Sequence, residues 1–406
     1  MSKPRVLVMG LNYAPERTGI APYTAGMARG LAIEFDVEVL TAHPHYPDWE
    51  LADGYGGWRR REVIDGVPVH RVLHYVPGNP TGLSRVLSEA TYAARSLAPG
   101  VARPDAIVAV TPALAPVASA LALGRRWRIP VGVVVQDLYS KALAEIGLLG
   151  GRLDAPAQRL EGSLLRAASG VVSIHESMAT AIRRDFDVPD ERITVIPNWT
   201  HVSPPEGDRD VRRNELGWDD GIFTVVHAGN MGAKQGLEHL IPAARAAQEA
   251  DLPVRFVLIG SGGARSFLQH SASGIRTMEF MDPLPGEDFM NTLSAADALL
   301  LHEKPGVKEM CVPSKLTSYF AAARPVLAAT DPDSAAAHEV RTSRAGLVVQ
   351  PGQPDALLAG IEELRSADGE AMGMYGLEYA RSMLDEDSAL AGYRAWLKAL
   401  LVQSRP

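Results

Sequence analysis

The sequence predicts two α/β domains in tandem, each a parallel sheet wound on both faces by helices. Three observations predict it. Short apolar, β-branched runs alternate with helix-period segments from one end to the other. The chain has 406 residues, more than one core organises and suited to two domains of about 200 residues each. The alternation also restarts at mid-chain. There Ile222–Val226 reads as a buried strand, followed by a glycine-bracketed turn and a helix-opening pattern.

In the first half, strands are expected at Arg5–Met9, Val37–Leu40, Val67–Leu73, Ala106–Val110, Val131–Val135, Gly170–Ser173 and Ile193–Ile196. Helical patterns fall between them at Ala21–Ala32, Ser84–Leu97, Ala113–Gly124 and Ala155–Ala168. The second half repeats the scheme with strands at Ile222–Val226, Arg255–Ile259, Ile275–Glu279, Ala298–Leu301, Val326–Ala328 and Gly346–Val349. Its helices are expected near Gly236–Gln248, Gly286–Ala295, Ser314–Ala322 and Pro354–Arg365. Between the halves, THVSPPEGD (200–208) is the linker, because Pro204, Pro205 and Gly207 forbid regular structure. A last helical stretch, about Asp387–Leu401, is apolar at Leu390, Tyr393, Leu397 and Leu401 but has no strand of its own to cover. It is expected to pack back on the first domain, giving domains of 1–202 (with about 385–406) and 203–384. Two facing doubly wound sheets bind ligands at their C-terminal strand ends, so the site is expected in a deep cleft between them.

With 46% hydrophobic and 22% charged residues, the composition is that of a folded globular protein. No apolar run approaches the roughly 20 residues of a membrane span, and the apolar part of MSKPRVLVMGL is too short for a signal peptide. The single cysteine, Cys311, leaves no internal disulfide and fits a reducing cytosol. Residues 1–200 hold 21 Lys+Arg against 20 Asp+Glu, whereas the remainder holds 19 against 28. That acidic second half disfavours nucleic-acid binding. Basic clusters in the first half, Arg59–Arg61, Arg125 and Arg126 with Arg128, and Arg183–Arg184, read either as solvated faces or as contacts with anionic lipid.

Candidate ligand residues stand at strand ends. After the first strand, GLNYAPERTGIAPYT (10–24) places Thr18 and Gly19 where a helix begins, able to offer N–H groups to an oxyanion or a sugar hydroxyl. After the second, TAHPHYPDWE (41–50) sets His43, His45, Tyr46, Asp48 and Trp49 on a proline-stiffened loop, a mixture of rings and polar groups that suits a sugar. The two histidines lack a further partner nearby, so no metal site is expected. Gln136 and Asp137 leave a fully apolar strand at the sheet edge, and His175 reads as a helix cap. In the second half, the turn holding Gly229, Asn230, Gly232, Lys234 and Gln235 should expose N–H groups to a phosphate, with the helix opening near Gln235 pointing its positive end at it. IGSGGAR (259–265), with Gly260 and Gly262, is a second such turn. A long loop carrying Glu309 then leads to Pro313-Ser314-Lys315 at another helix start. A lysine disfavours that end of a helix unless an anion docks there. Three such sites on one sheet edge point to a bound nucleotide diphosphate.

With these residues laid out, the chain resembles a retaining glycosyltransferase of the GT-B fold, family 4, of the colanic-acid and exopolysaccharide branch. The resemblance rests on NYAPERTGIAPYT, TAHPHYPDW, VQDLY, IPNW, HAGNMGAKQGLEHL, LIGSGG and VPSKLTSYFAAARPV, in that order over nearly the whole chain. It implies two facing Rossmann-like domains. The C-terminal one would take a nucleotide diphosphate sugar (UDP- or GDP-) and the N-terminal one a sugar or lipid-linked acceptor. Transfer would proceed with retention and without metal or other cofactor. With such an acceptor, the basic clusters of the first half would suit a cytoplasmic protein in peripheral contact with the inner face of the cell membrane. Carried over residue by residue, catalytic roles fall to Lys234, Lys315 and Glu309, and donor contacts to Gly229, Asn230, Gln235, Gly260, Gly262, Ser314 and Ser318. On the strand-end reading given above, acceptor contacts fall to Thr18, Gly19, His43, His45, Tyr46, Gln136 and Asp137. The chain departs from the family pattern at Asn230 and Gln235, where cations are usual, at Ser318, where a ribose-binding Glu is usual, and at Gln136, where many members have His. Two other readings of the scaffold are an epimerase-like or coupling enzyme, recognised by donor turnover without acceptor, and an inactive binding protein, recognised by no donor binding.

Overall fold

The computed structural model describes residues 3–16, 19–78, 82–98, 100–140, 154–200, 202, 204–306 and 315–403. The chain divides into two compact units, Met1–Asn198 with Glu386–Pro406, and Trp199–Asp385. In the first unit the strands are β1 (Arg5–Met9), β2 (Asp36–Ala42), β3 (Arg59–Ile64), β4 (Val67–Val72), β5 (Ala106–Val110), β6 (Val131–Val135), β7 (Gly170–Ser173) and β8 (Ile193–Val195). They form one sheet in the order β3-β4-β2-β1-β5-β6-β7-β8, parallel except between β3 and β4. Helices α1 (Ala21–Ala32), α2 (Gly82–Ser96), α3 (Leu114–Trp127), α4 (Asp154–Ala167) and α5 (Glu176–Phe186) are interspersed.

The β3–β4 hairpin corrects the sequence expectation, which treats Arg59–Arg61 only as a basic cluster. Its turn is Asp65-Gly66, both at positive φ (48° and 79°), the dipeptide that favours a two-residue hairpin. Three consecutive arginines are tolerated because β3 is the sheet edge, where charge also blocks pairing with another sheet.

The second unit has β9 (Phe223–Ala228), β10 (Val254–Ile259), β11 (Met278–Met281), β12 (Ala298–His302), β13 (Val326–Ala329) and β14 (Gly346–Val349), all parallel, in the order β11-β10-β9-β12-β13-β14. That is the strand order of a dinucleotide-binding sheet, with the direction of winding reversing between β9 and β12. Helices α6 (Arg209–Leu216), α7 (Leu240–Glu249), α8 (Arg265–Ser271), α9 (Gly286–Ala295), α10 (Lys315–Ala321), α11 (Ala335–Ser343), α12 (Pro354–Ser366) and α13 (Gly369–Met383) complete it. Alternate strand residues enter opposite cores: Val226, Leu299 and Leu301 one, Val225, Phe256 and Leu300 the other. A sheet covered on both faces favours apolar residues, which is why these strands read as near-continuous apolar runs, with Thr224 and His227 of β9 and His302 of β12 as buried polar exceptions.

A second correction concerns the segment after β9. Instead of a helix from about Gly236, two single 3-10 turns, Ala233–Gln235 and Leu237–His239, precede α7. Gly236 between them has φ +57° and breaks the helical path. Pro242 instead lies in the first turn of α7, where its missing N–H costs no hydrogen bond.

The last helix, α14 (Glu386–Gln403), belongs to the first unit and buries Leu390, Tyr393, Trp396, Leu397 and Leu400. Glycines make room for it: a Cβ on Gly132 would lie 2.3 Å from the Trp396 ring, and one on Gly30 would lie 2.7 Å from Leu390. Glu386 at its start accepts from Arg29 at 2.6 Å.

Candidate active site

In the second unit, the winding reversal falls between the C-terminal ends of β9 and β12, where His227, Gly229, His302 and Glu303 stand. Helix α10 is fixed to this edge by Tyr319. Its hydroxyl accepts from the Ala228 N–H at 2.9 Å and donates to the Leu300 carbonyl at 3.2 Å. Lys315 lies four residues earlier, on the same helical face. Its ammonium is 3.3 Å from Nε2 of His227. The His227 ring is fully buried, and Nδ1 donates to the Leu300 carbonyl at 3.1 Å, which leaves Nε2 to accept from the lysine.

The electrostatics follow from burial. Although part of Lys315 stays accessible, desolvation of its ammonium pushes its pKa down to about 8, opposed by the Glu303 carboxylate. Burial, then the neighbouring Lys315, holds His227 well below the usual imidazole range, so it is neutral. Burial raises Glu303, while a hydrogen bond from the Thr330 hydroxyl and the charges of Lys315 and Lys234 restrain it. Among the described residues neither Lys234 nor Lys315 forms an ion pair. A desolvated cation that no ion pair among the described residues neutralises is a charge held ready for an anion.

The glycine turns behave differently from the sequence expectation. The Gly229 N–H is taken by the Ile259 carbonyl at 2.9 Å, and the Gly232 N–H by Oε1 of Gln235 at 3.0 Å, so neither awaits a phosphate. A Cβ on Gly260 (φ +139°) would sit 2.0 Å from the Gly229 carbonyl oxygen, and one on Gly262 (φ +147°) 2.5 Å from Oδ1 of Asn230. These glycines are required because the two turns pack on each other. The 3-10 turn is clamped to the end of β12. Nδ1 of His302, whose pKa burial lowers to about 4, donates to the Gln235 carbonyl at 2.6 Å, and the Lys304 N–H donates to the Lys234 carbonyl at 2.9 Å. Asn230 is exposed, Lys234 partly so, and Ser318 is buried on α10. Glu309 and Ser314 lie outside the described residues. The helix end expected near Gln235 is replaced by the 3-10 turn, so among the described residues the α-helix that starts at this edge beside the lysines is α10.

At the sheet edge of the first unit the charges are mostly acidic and turned inward. Glu16, overlooked in the sequence, accepts from the N–H groups of His45 and Tyr46 at 2.9 and 3.0 Å and from Nδ2 of Asn12 at 2.9 Å. Glu161 accepts from the Tyr139 and Ser140 N–H groups at 2.7 and 2.9 Å, and Glu89 from that of Leu114 at 3.1 Å. Burial raises both. The His43 ring is fully buried, its Nε2 3.0 Å from the Gly57 carbonyl and its Nδ1 without a partner among the described residues. His45 bonds the His43 carbonyl through Nδ1 at 3.0 Å and meets the His74 ring edge-on at 4.7 Å. His74, also overlooked, is 5% exposed with both ring nitrogens unpartnered among the described residues, and burial takes its pKa down to about 3. Gly19 (φ +66°) backs on the half-exposed Tyr46 ring. Gln136 and Asn198 exchange two hydrogen bonds, at 3.2 and 2.8 Å, and the Asp137 carbonyl accepts from the Thr111 hydroxyl at 3.0 Å. His175 caps α5 by accepting from the Ser177 N–H at 3.1 Å. Thr18 lies outside the described residues. No described group of three or more His, Cys, Asp or Glu residues is arranged to hold a metal. No described helix is long and apolar enough to cross a membrane.

The profile of the Glycosyl transferase 4-like domain matches residues 18–199, and that of Glycosyl transferases group 1 matches residues 222–366. WcaI of Escherichia coli strain K12, named as a colanic acid biosynthesis glycosyl transferase, is 31% identical over 404 residues, covering 95% of this chain and 98% of that one. Among solved structures, Anabaena HepE in complex with UDP-glucose superposes with a TM-score of 0.71 at 15% identity, covering 98% of this chain and all of the other. Sucrose-phosphate synthase from Thermosynechococcus elongatus gives 0.72 at 15% identity over 99% of this chain and all of the other. These two likenesses show the fold.

Proposed function

This chain belongs to the glycosyltransferase family that joins a 4-like domain to a group 1 domain on the GT-B fold, and from that membership we propose a retaining, metal-independent reaction. The donor is a nucleotide diphosphate sugar held at the second unit, and the acceptor is a hydroxyl of a sugar or lipid-linked sugar held at the first. The product feeds exopolysaccharide or glycoconjugate assembly. One observation carries the reading most: Lys315 is desolvated, aimed by His227 and free of an ion pair among the described residues, at the winding reversal of a dinucleotide-type sheet.

The bond from the anomeric carbon to the diphosphate oxygen breaks as the acceptor oxygen bonds to the same face of the sugar. The acceptor proton passes to the departing diphosphate, which then leaves carrying two or three negative charges. Such a step needs electrostatic stabilisation and positioning, and no side-chain base. Lys315 and Lys234 supply positive charge, and the clamped turn from Gly232 to Gln235 fixes where Lys234 starts. From the family likeness, Glu309 is also given a catalytic role and Ser314 a donor contact. The UDP-glucose complex of HepE and the colanic acid role named for WcaI support a nucleotide-sugar donor and a polysaccharide setting.

A thermal-shift panel of UDP- and GDP-sugars, followed by proton NMR of the product's anomeric centre with and without a chelator, tests this. One donor should raise Tm, the anomeric configuration should be kept, and the chelator should leave the rate unchanged. An inverted product or chelator-sensitive transfer overturns the mechanism. Donor turnover without acceptor points to an epimerase-like enzyme, and no donor binding to an inactive protein.

A further inference from the structure

Helix α2 wears its residues inside out. Its buried positions include the polar Ser88, Glu89 and Ser96, alongside Tyr92. Its exposed positions are Leu83, Val86, Leu87, Ala90 and Ala94, continued by Leu97 just past its end; they recur every one to four residues and so form one stripe along the outer face. Leu83 is 85% exposed, Val86 56% and Leu87 52%. At 1.5 Å per residue the stripe runs about 21 Å. A surface helix normally turns such a stripe to the core, and an exposed one marks a contact surface.

Cations flank it. Arg59 and Arg61 of β3 reach across to α2's C-terminal end, Arg59 to the Ala98 carbonyl and Arg61 to the Gly100 carbonyl at 2.9 Å. Arg95 of α2 lies 3.7 Å above the ring of Trp58, which is itself 72% exposed. Among the described residues none of these three arginines forms an ion pair, so their charges remain open to a partner. No acidic residue stands on the stripe to oppose them, because the helix's one carboxylate, Glu89, is buried on the inner side. An apolar face with an aromatic residue and flanking arginines is the pattern of a helix lying in a membrane interface, where each basic residue near an anionic surface strengthens binding about fivefold.

The inner side of the same helix borders the ligand edge of the first unit. The Arg85 guanidinium stands 6.0 Å from the Trp49 ring and 5.8 Å from that of Tyr139, and Glu89 accepts from the Leu114 N–H. We propose that the outer face of α2, with Trp58 and the β3 arginines, docks the first unit on an anionic lipid bilayer, so that a lipid-linked acceptor arrives beside the edge that receives it. This rests on the lipid-linked acceptor reading given for the same site.

The test is sedimentation of the full chain with phosphatidylcholine vesicles, with and without phosphatidylglycerol. The wild type should sediment only with the phosphatidylglycerol vesicles and should be released by high salt. The combined variant Leu83→Ser, Val86→Ser, Leu87→Ser should lower the bound fraction about tenfold or more, and Arg59→Glu with Arg61→Glu should do so about as strongly. Both should keep wild-type donor-induced thermal shifts, which also shows that they are folded. Wild-type protein that ignores anionic vesicles, or variants that bind them as well as wild type, overturns the proposal. So does a stripe variant that turns a dimer into a monomer while vesicle binding is unchanged, since the face would then join two copies. Loss of donor binding in the wild type would break the glycosyltransfer reading while leaving the vesicle result to stand.

Discussion

The two sheet edges use charge in opposite ways. In the first unit, buried Glu16, Glu89 and Glu161 point at backbone N–H groups of neighbouring segments, a loop for Glu16 and the start of α3 for Glu89, and are consumed in holding those segments in place. In the second, the backbone of Lys234 is fixed by the Lys304 N–H and the Lys315 ammonium meets a neutral imidazole, and neither charge is compensated by an ion pair among the described residues. A carboxylate can satisfy loop amides because it only accepts hydrogen bonds; an ammonium only donates and has no such work at a loop. One edge therefore spends its charge on architecture and the other keeps it for a ligand.

Substitutions can break or sharpen this contrast. Lys315→Ala should cut transfer at least about a hundredfold, the scale of a lost transition-state charge contact, with Tm little changed. Near-wild-type initial rates of nucleoside diphosphate release would remove Lys315 from the mechanism. Glu16→Ala should do the reverse, costing about 2 kcal/mol of stability through the amides it leaves unpaired; denaturant unfolding that shows no loss would end its structural assignment.

A pH series separates the two roles of Lys315 further. Its folded pKa near 8 lies below the ordinary value of 10.5, so the folded state releases the proton first. Transfer should fall about tenfold between pH 7 and 9 as the cation disappears. Between pH 8 and 10.5 the unfolded chain binds the extra proton, so this residue's contribution to stability should rise with pH. Rate and stability with the same slope would contradict the assignment. The smallest expected effect is for His227→Phe, which removes the acceptor that aims Lys315. It should lower kcat about fivefold, by roughly one hydrogen bond, and shift the pH profile, whereas a purely packing role would leave the profile in place.

The central strands are legible in the sequence because a sheet covered on both faces leaves few polar positions to interrupt the run. The edge strand β3 is not, because Arg59–Arg61 obey edge rules; its Asp65-Gly66 turn is the available signal. The helix expected from Gly236 starts instead at Leu240, because one positive-φ glycine outweighs an apolar period. At the candidate site, Lys315 can be picked out as a cation in an unfavourable place. His227 cannot, since a histidine in an apolar strand reads the same whether or not a lysine reaches it. Glu303 and Glu16 share that fate: their meaning lies in Thr330 and in loop amides far away in sequence. The glycines at 260 and 262 stand out, but as ligand contacts, because spacing does not distinguish a turn that meets a phosphate from one that meets another turn.

Helix α14 has a consequence for synthesis. Chain growth finishes residues 199–385, a compact unit, before the helix that fills the slot at Gly30, Gly132 and Gly170 has been made. The first unit is the first to leave the ribosome and the last to be completed. Until Leu390, Trp396 and Leu400 emerge, the apolar slot beside β6 and β7 stays open to water and to other chains. A premature stop near residue 385 should thus leave an intact second unit joined to an aggregating first one.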